Sequence, residues 1–102
     1  EKQGKLEEAE PLFRKSLSRR EKVLGDTHPK TLLSMYGLAS ILEKKGDLAN
    51  AEIFAQKSLD GYFSLGLKAD VKDCVRQVTG ILRAQDKNEE ATAVEQTYSD
   101  FT

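Results

Sequence analysis

From Leu32 to Leu42 the apolar side chains stand at positions 32, 35, 38, 39 and 42, with polar residues filling much of the space between. That spacing belongs to a helix with one buried face. Leu48, Ala51, Phe54, Ala55, Ser58, Leu59 and Tyr62 repeat the pattern with apolar or small residues. Between the two runs lies Lys44-Lys45-Gly46-Asp47. Bases suit a helix C-terminus, glycine can take the left-handed conformation that stops it, and aspartate can cap the next helix. The two runs therefore predict an antiparallel helix hairpin. Thr27-His28-Pro29 opens it, with proline near the first helical position, where its missing N–H costs nothing. No segment alternates apolar and polar residues with a period of two. The spacing predicts an all-α chain of five helices, over about 5–23, 30–45, 48–64, 70–85 and 88–100.

The hairpins repeat. Sliding the chain along itself lays EKQGKLEEAEPLFRKSL (Glu1 to Leu17) on EKKGDLANAEIFAQKSL (Glu43 to Leu59), and nine of the 17 pairs are identical. Chance gives about one, so an internal repeat is the reading to carry forward. A weaker third copy needs a shift shorter by two, where Leu38, Ile41 and Leu42 fall on Val78, Ile81 and Leu82, and Ala51 on Ala91. The loop Val23 to Pro29 shortens to Ser64 to Ala69, which absorbs part of the difference. The units are 1–29 (the second helix and loop of a truncated repeat), 30–66 (a complete repeat) and 67–102 (a degenerate capping repeat).

The first helix has a broad apolar face, Leu6, Ala9, Leu12, Phe13, Leu17 and Leu24, and no preceding partner. A broad face needs cover on two sides, so upstream chain or a partner protein is expected to supply a helix there. The last helix carries one narrow stripe, Ala91, Val94, Tyr98 and Phe101, with a polar outer face of the kind that ends a solenoid. The first residue is Glu1 rather than Met, and the expectation is the C-terminal end of a longer array.

These residues resemble the tetratricopeptide repeats, most nearly the longer-loop, 42-residue variety found in kinesin light chains. The stretch Gly4 to Pro29 is similar to that variety's second helix and connecting loop. Leu38, Ala39, Leu42, Gly46, Ala51, Ser58 and Leu59 match the family's packing pattern. The resemblance spans the chain, strongly over 1–59 and weakly from about residue 70. There Glu95 replaces an aromatic and Tyr98 replaces Ala or Ser, departures that suit a terminal cap. The resemblance implies a right-handed α-solenoid that binds protein and performs no catalysis. It also implies a concave wall carrying Leu33, Tyr36, Ser40, Glu43 and Lys44, then Asp73, Arg76, Gln77, Gly80 and Arg83. Tyr36 and Arg76 belong to the residue types enriched at binding hot spots. Kinesin light chains place paired asparagines where this chain has Tyr36 and Gly37. The carboxylate clamp of other relatives is replaced by Tyr36, Ser40 and Asp73. Neither kinesin cargo nor chaperone-tail binding carries over.

Charge and composition narrow the partner. Lys+Arg is 16 against Asp+Glu 17, a net charge of −1 that argues against a general nucleic-acid binder. No apolar run is long enough to span a bilayer. One cysteine and one histidine complete neither a disulfide nor a structural zinc site. His28 reads as a loop residue that helps open a helix, and Cys74 as a packed small residue where the preceding unit has Ser34. No phosphate-binding glycine motif is present. No catalytic residue, cofactor or metal is expected. One free thiol and no signal segment favour an intracellular site, most simply the cytoplasm, with an organelle interior as the alternative since the missing initiator Met leaves room for a removed transit segment. Arg14, Lys15, Arg19, Arg20 and Lys22 form a basic face on the first helix, either a docking face for an acidic partner or bases solvated near a helix end. Tyr62 and Phe63 are expected to fill a hairpin junction. Gly61 and Gly80 each cost a helix about 1 kcal/mol relative to alanine unless close helix approach compensates.

The functional expectation is an interaction module or scaffold that binds a partner segment in a concave helical groove. Two alternatives stand beside it: a permanent subunit of a multiprotein complex, held by the open first-helix face, or the regulatory tail of an enzyme encoded upstream.

Overall fold

The computed structural model describes residues 2–101, as helices α1 (Lys2–Leu24), α2 (Pro29–Lys45), α3 (Leu48–Leu65), α4 (Lys68–Ala84) and α5 (Asn88–Thr97) and a closing 3-10 turn (Ser99–Phe101). Glu1 and Thr102, the outermost positions of the expected first and third units, lie outside the described residues. The five helices fall where the apolar spacing puts them, with three departures. α1 already begins at Lys2, before the expected position 5, and α4 begins at Lys68, slightly before the expected position 70. α5 stops at Thr97 because the chain tightens into the 3-10 turn, which turns Phe101 toward Phe63 and Tyr98.

Local chemistry sets the ends. His28 caps α2, its Nδ1 accepting the Lys30 N–H at 3.1 Å, and Pro29 follows as the first helical residue. Asp47 caps α3 by accepting the Asn50 N–H at 3.4 Å. Gly46 ends α2 at φ 87°, in the left-handed region that glycine enters without a Cβ penalty. In the next unit Asp86 takes the same place at φ 62°, a conformation aspartate tolerates better than most residues. Pro11 sits within α1 on its exposed side, where water can serve the carbonyl that the ring deprives of an N–H.

Helices adjacent in the chain pack as antiparallel neighbours, and α2 also touches α4 directly. The first helices of the hairpins, α2 and α4, therefore form one layer and α1, α3 and α5 the other. A thickness of 18 Å agrees with two helical layers. The core runs through the middle hairpin: Leu38, Ala39, Ala51, Ala55 and Leu59 are fully buried, as are Val71, Cys74, Val78 and Ile81 on α4. Burying each large aliphatic side chain contributes about 1.5–3 kcal/mol. Small residues let the layers close up. A Cβ at Gly61 would run into Leu32, and one at Gly37 into the Phe13 ring. At Gly80 no such approach exists, since only the Glu43 carboxylate comes near, at 3.9 Å.

The repetition extends to polar contacts. Lys45, at the end of α2, reaches Glu10 of α1 at 2.6 Å. Glu52, the counterpart of Glu10 in the next unit, accepts from Lys87 at 3.0 Å and from Gln85 at 2.8 Å. Gln85 is the counterpart of Lys45, so the side chain in the lysine's place keeps the bond and Lys87 restores the charge.

Candidate functional site

Two equivalent slots exist along the stack, and they differ in occupancy. The first lies between α3 and α4 and is filled by α2. Leu32 of α2 rests against Gly61, and the Tyr62 hydroxyl donates to the Pro29 carbonyl at 3.4 Å. On the α4 side, Gln77 Nε2 donates to the Tyr36 carbonyl at 2.9 Å. The second slot lies between α1 and α2. The longer repeat shift carries α3 onto α1, and the shorter one carries α4 onto α2. Leu12, Ser16 and Arg19 thus stand for Phe54, Ser58 and Gly61, while Leu33, Tyr36 and Gly37 stand for Asp73, Arg76 and Gln77. No described helix fills this second slot. It is an open cavity of about 500 Å³ lined by Leu12, Phe13, Leu33, Tyr36 and Gly37, with Ser16, Arg20 and Ser34 at its polar edge.

The expected broad face of α1 is therefore real but only half used. Leu17 is buried against α2, whereas Leu12 is 68% exposed, Phe13 37% and Val23 74%. Across the slot Leu33 is 56% exposed. Such neighbouring large apolar side chains are more informative than a scattered exposed leucine. Tyr36 is half-buried beside them, and burial, with the Asp73 carboxylate adding, raises its hydroxyl above the ordinary tyrosine range. It stays a neutral phenol.

The expected concave wall divides. Leu33, Lys44, Asp73 and Arg76 are exposed, as is Gly80, while Ser40, Glu43 and Tyr36 are half-buried. Gln77 is not a free wall residue as expected: it is 9% exposed and spent on the bond to the Tyr36 carbonyl. Arg83 makes a two-pronged pair with Glu95 of α5, at 2.7 and 3.0 Å. Leu33 and Tyr36 share a cavity with Leu12 and Phe13.

The basic face on α1 also divides. Arg20 donates to Ser34 Oγ and the Lys30 carbonyl, both at 2.9 Å, locking α1 to α2. Arg14 pairs with Glu10 at 2.8 Å and lies 5.8 Å from the centre of the Phe54 ring. Lys15 and Arg19 stand exposed. Among the described residues, no group of three His, Cys, Asp or Glu side chains converges as a metal site, and no helix is long and apolar enough to cross a membrane. Cys74 is fully buried, 3.5 Å from Ser58 Oγ, and burial pushes its thiol up to about 11.

Two features escaped the sequence reading. The Lys45–Glu10 and Lys87–Glu52 pairs had a signal, since the repeat lays Glu10 on Glu52. The trio of Phe63, Tyr98 and Phe101, with ring centroids 5.4–6.4 Å apart, had only half of one: the stripe on the last helix named two members, but not their partner on α3.

The comparisons agree with this architecture. A family model described as Tetratricopeptide repeat matches residues 1–62. No curated protein matches the chain closely enough to count as a relative. Repeats of that family are in general protein-interaction modules. With stacked helix hairpins, an internal sequence repeat and a family match over more than half its length, the chain belongs to the tetratricopeptide-repeat family.

Proposed function

We propose that this chain is a protein-binding module that takes a partner segment along the wall formed by α2 and α4, around Leu33, Tyr36, Asp73 and Arg76. The observation that carries the reading is that Leu33, Asp73 and Arg76 stand exposed on that layer, with Tyr36 half-buried near the Asp73 carboxylate. Burying a side chain such as Leu33 favours binding by about 1.5–3 kcal/mol before association costs are subtracted. A preformed wall on packed helices keeps the ordering cost on the module's side low. The spacing between the first two units supports placing the chain with the kinesin light chain-like variety, and a lone buried thiol fits an intracellular setting.

The test is site-specific photo-crosslinking of the intact protein in its own cells. Crosslinks to one protein from positions 33 and 76, and none from the exposed Ile53 on α3, are the expected result. Crosslinks from position 53 alone overturn the assignment. The exposed α1 face also favours a second reading, a permanent subunit of a larger assembly. A partner that stays bound at high salt selects that reading, and one released by salt selects the adaptor.

A further inference from the structure

We infer that Gly80 marks where an extended partner segment lays its main chain on the α2–α4 wall, with a carboxylate reaching Arg76 and a basic side chain reaching Glu43. This rests on the reading of α2 and α4 as the docking wall and adds the chemistry of what docks.

Gly80 lies inside α4 and is exposed. A Cβ there would meet only Glu43 Oε2, at 3.9 Å, which is ordinary contact. The other helical glycines behave differently: Gly37 and Gly61 leave room for Phe13 and Leu32 of neighbouring helices. Gly25, Gly46 and Gly66 take positive φ, and Gly80 does not. Neither packing nor backbone conformation therefore calls for glycine at position 80, and α4 forgoes the helix propensity that alanine would add. The close approach that a missing side chain permits is directed outward, to whatever lies on the wall.

Shape sets the form of the occupant. Two packed helices keep their axes about 8–10 Å apart, because side chains stand between them. An extended segment is thinner and offers main-chain atoms along its edge, so it can come down onto the bare stretch of α4.

Charge sets its side chains. Arg76 stands one turn before Gly80 on the same helix face, and Glu43 faces the glycine from α2. Among the described residues, the Arg76 guanidinium and the Glu43 carboxylate enter no ion pair. Arg83, one turn beyond Gly80, is already held by Glu95. A carboxylate on the segment therefore finds its partner at Arg76. A wholly acidic segment would meet Glu43 and Asp73, and a wholly basic one Arg76, so the wall selects mixed charge.

The probe is a positional-scanning library of short synthetic peptides, with Asp or Lys fixed at one position at a time, bound to the whole chain. The selected peptide is expected to combine an acid with a base. Arg76→Glu is expected to turn the preference for acid into one for base, and Glu43→Lys to do the reverse at the other position. Gly80→Ala is expected to raise Tm by about 4–8 °C while weakening the selected peptide about tenfold. A glycine that served only the fold would not move the two readouts in opposite directions. Unchanged affinity in both Gly80→Ala and Gly80→Leu, or a lower Tm for Gly80→Ala, overturns the assignment of Gly80; if Arg76→Glu still reverses the charge preference, docking on the wall stands. A preference that neither Arg76→Glu nor Glu43→Lys moves overturns the mixed-charge segment. Crosslinks from positions 33 and 76 with no peptide selected overturn the extended segment in favour of a folded partner surface. Absence of both removes the docking reading itself.

Discussion

At the amino-terminal end of the stack Leu12, Leu33 and Val23 face outward, whereas at the carboxy-terminal end the chain covers itself. Glu95 is the counterpart of Ala55, at a position that α3 keeps small and buried, and there it holds Arg83. Tyr98 is the counterpart of the buried Ser58, and Phe101 of Gly61. Their rings fill, edge to face with Phe63, the space that small residues leave for a neighbouring helix in the middle unit. One repeat plan thus yields one surface ready for a helix and one already closed. A few side-chain sizes, with the 3-10 turn that ends the last helix, decide which.

The sharpest way to break this comparison is to put the same charge in both slots. Ala51→Glu forces a carboxylate into a fully buried helix contact, and we expect a loss of at least about 4 kcal/mol, seen as collapse of the cooperative thermal transition. Ala9→Glu, at the matching position beside the open slot, is expected to stay within about 1 kcal/mol of the parent chain. Equal damage from the two would mean the slot between α1 and α2 is not open.

The ends can be weighed in the same way. Phe63→Ala removes the ring against which Tyr98 and Phe101 pack, at an expected cost of about 1–2 kcal/mol by chemical denaturation. Leu12→Ala is expected to change stability by no more than about 0.5 kcal/mol, because that side chain is largely in water already.

The smallest effects belong to the paired clamps. Hydrogen bonds from Lys45 and Arg14 hold the Glu10 carboxyl below its ordinary range, and those from Gln85 and Lys87 do so for Glu52. A lowered folded-state value means stability that is present above the ordinary carboxylate range and lost as pH falls through the lowered value. Glu10→Gln and Glu52→Gln are each expected to lower Tm by about 1–4 °C at about pH 7. Both deficits are expected to vanish on acidification. A deficit that persists at low pH would assign the loss to packing instead.

Much of this was legible in the sequence, because helix existence, caps and repeat spacing are local or periodic. Leu38, Ala51 and Leu59 announce a buried face by spacing alone, and Gly46 announces a stop. The open face of α1 was legible too, as a stripe too broad for one partner. Side-chain reach was not. Gln77 and Arg83 lie off the apolar stripe, which places them on a face but does not say that one bends to a carbonyl on α2 and the other to a carboxylate on α5. Arg20 reads as part of a basic patch until the structure shows its guanidinium folded onto Ser34 and Lys30. Such choices depend on interhelical distances that no single-helix pattern contains.

Cys74 gives the molecule an internal clock. The thiol is sealed between α3 and α4, and burial holds it protonated at neutral pH, so a thiol reagent meets it only when the hairpins part. Its labelling rate therefore counts openings of the stack.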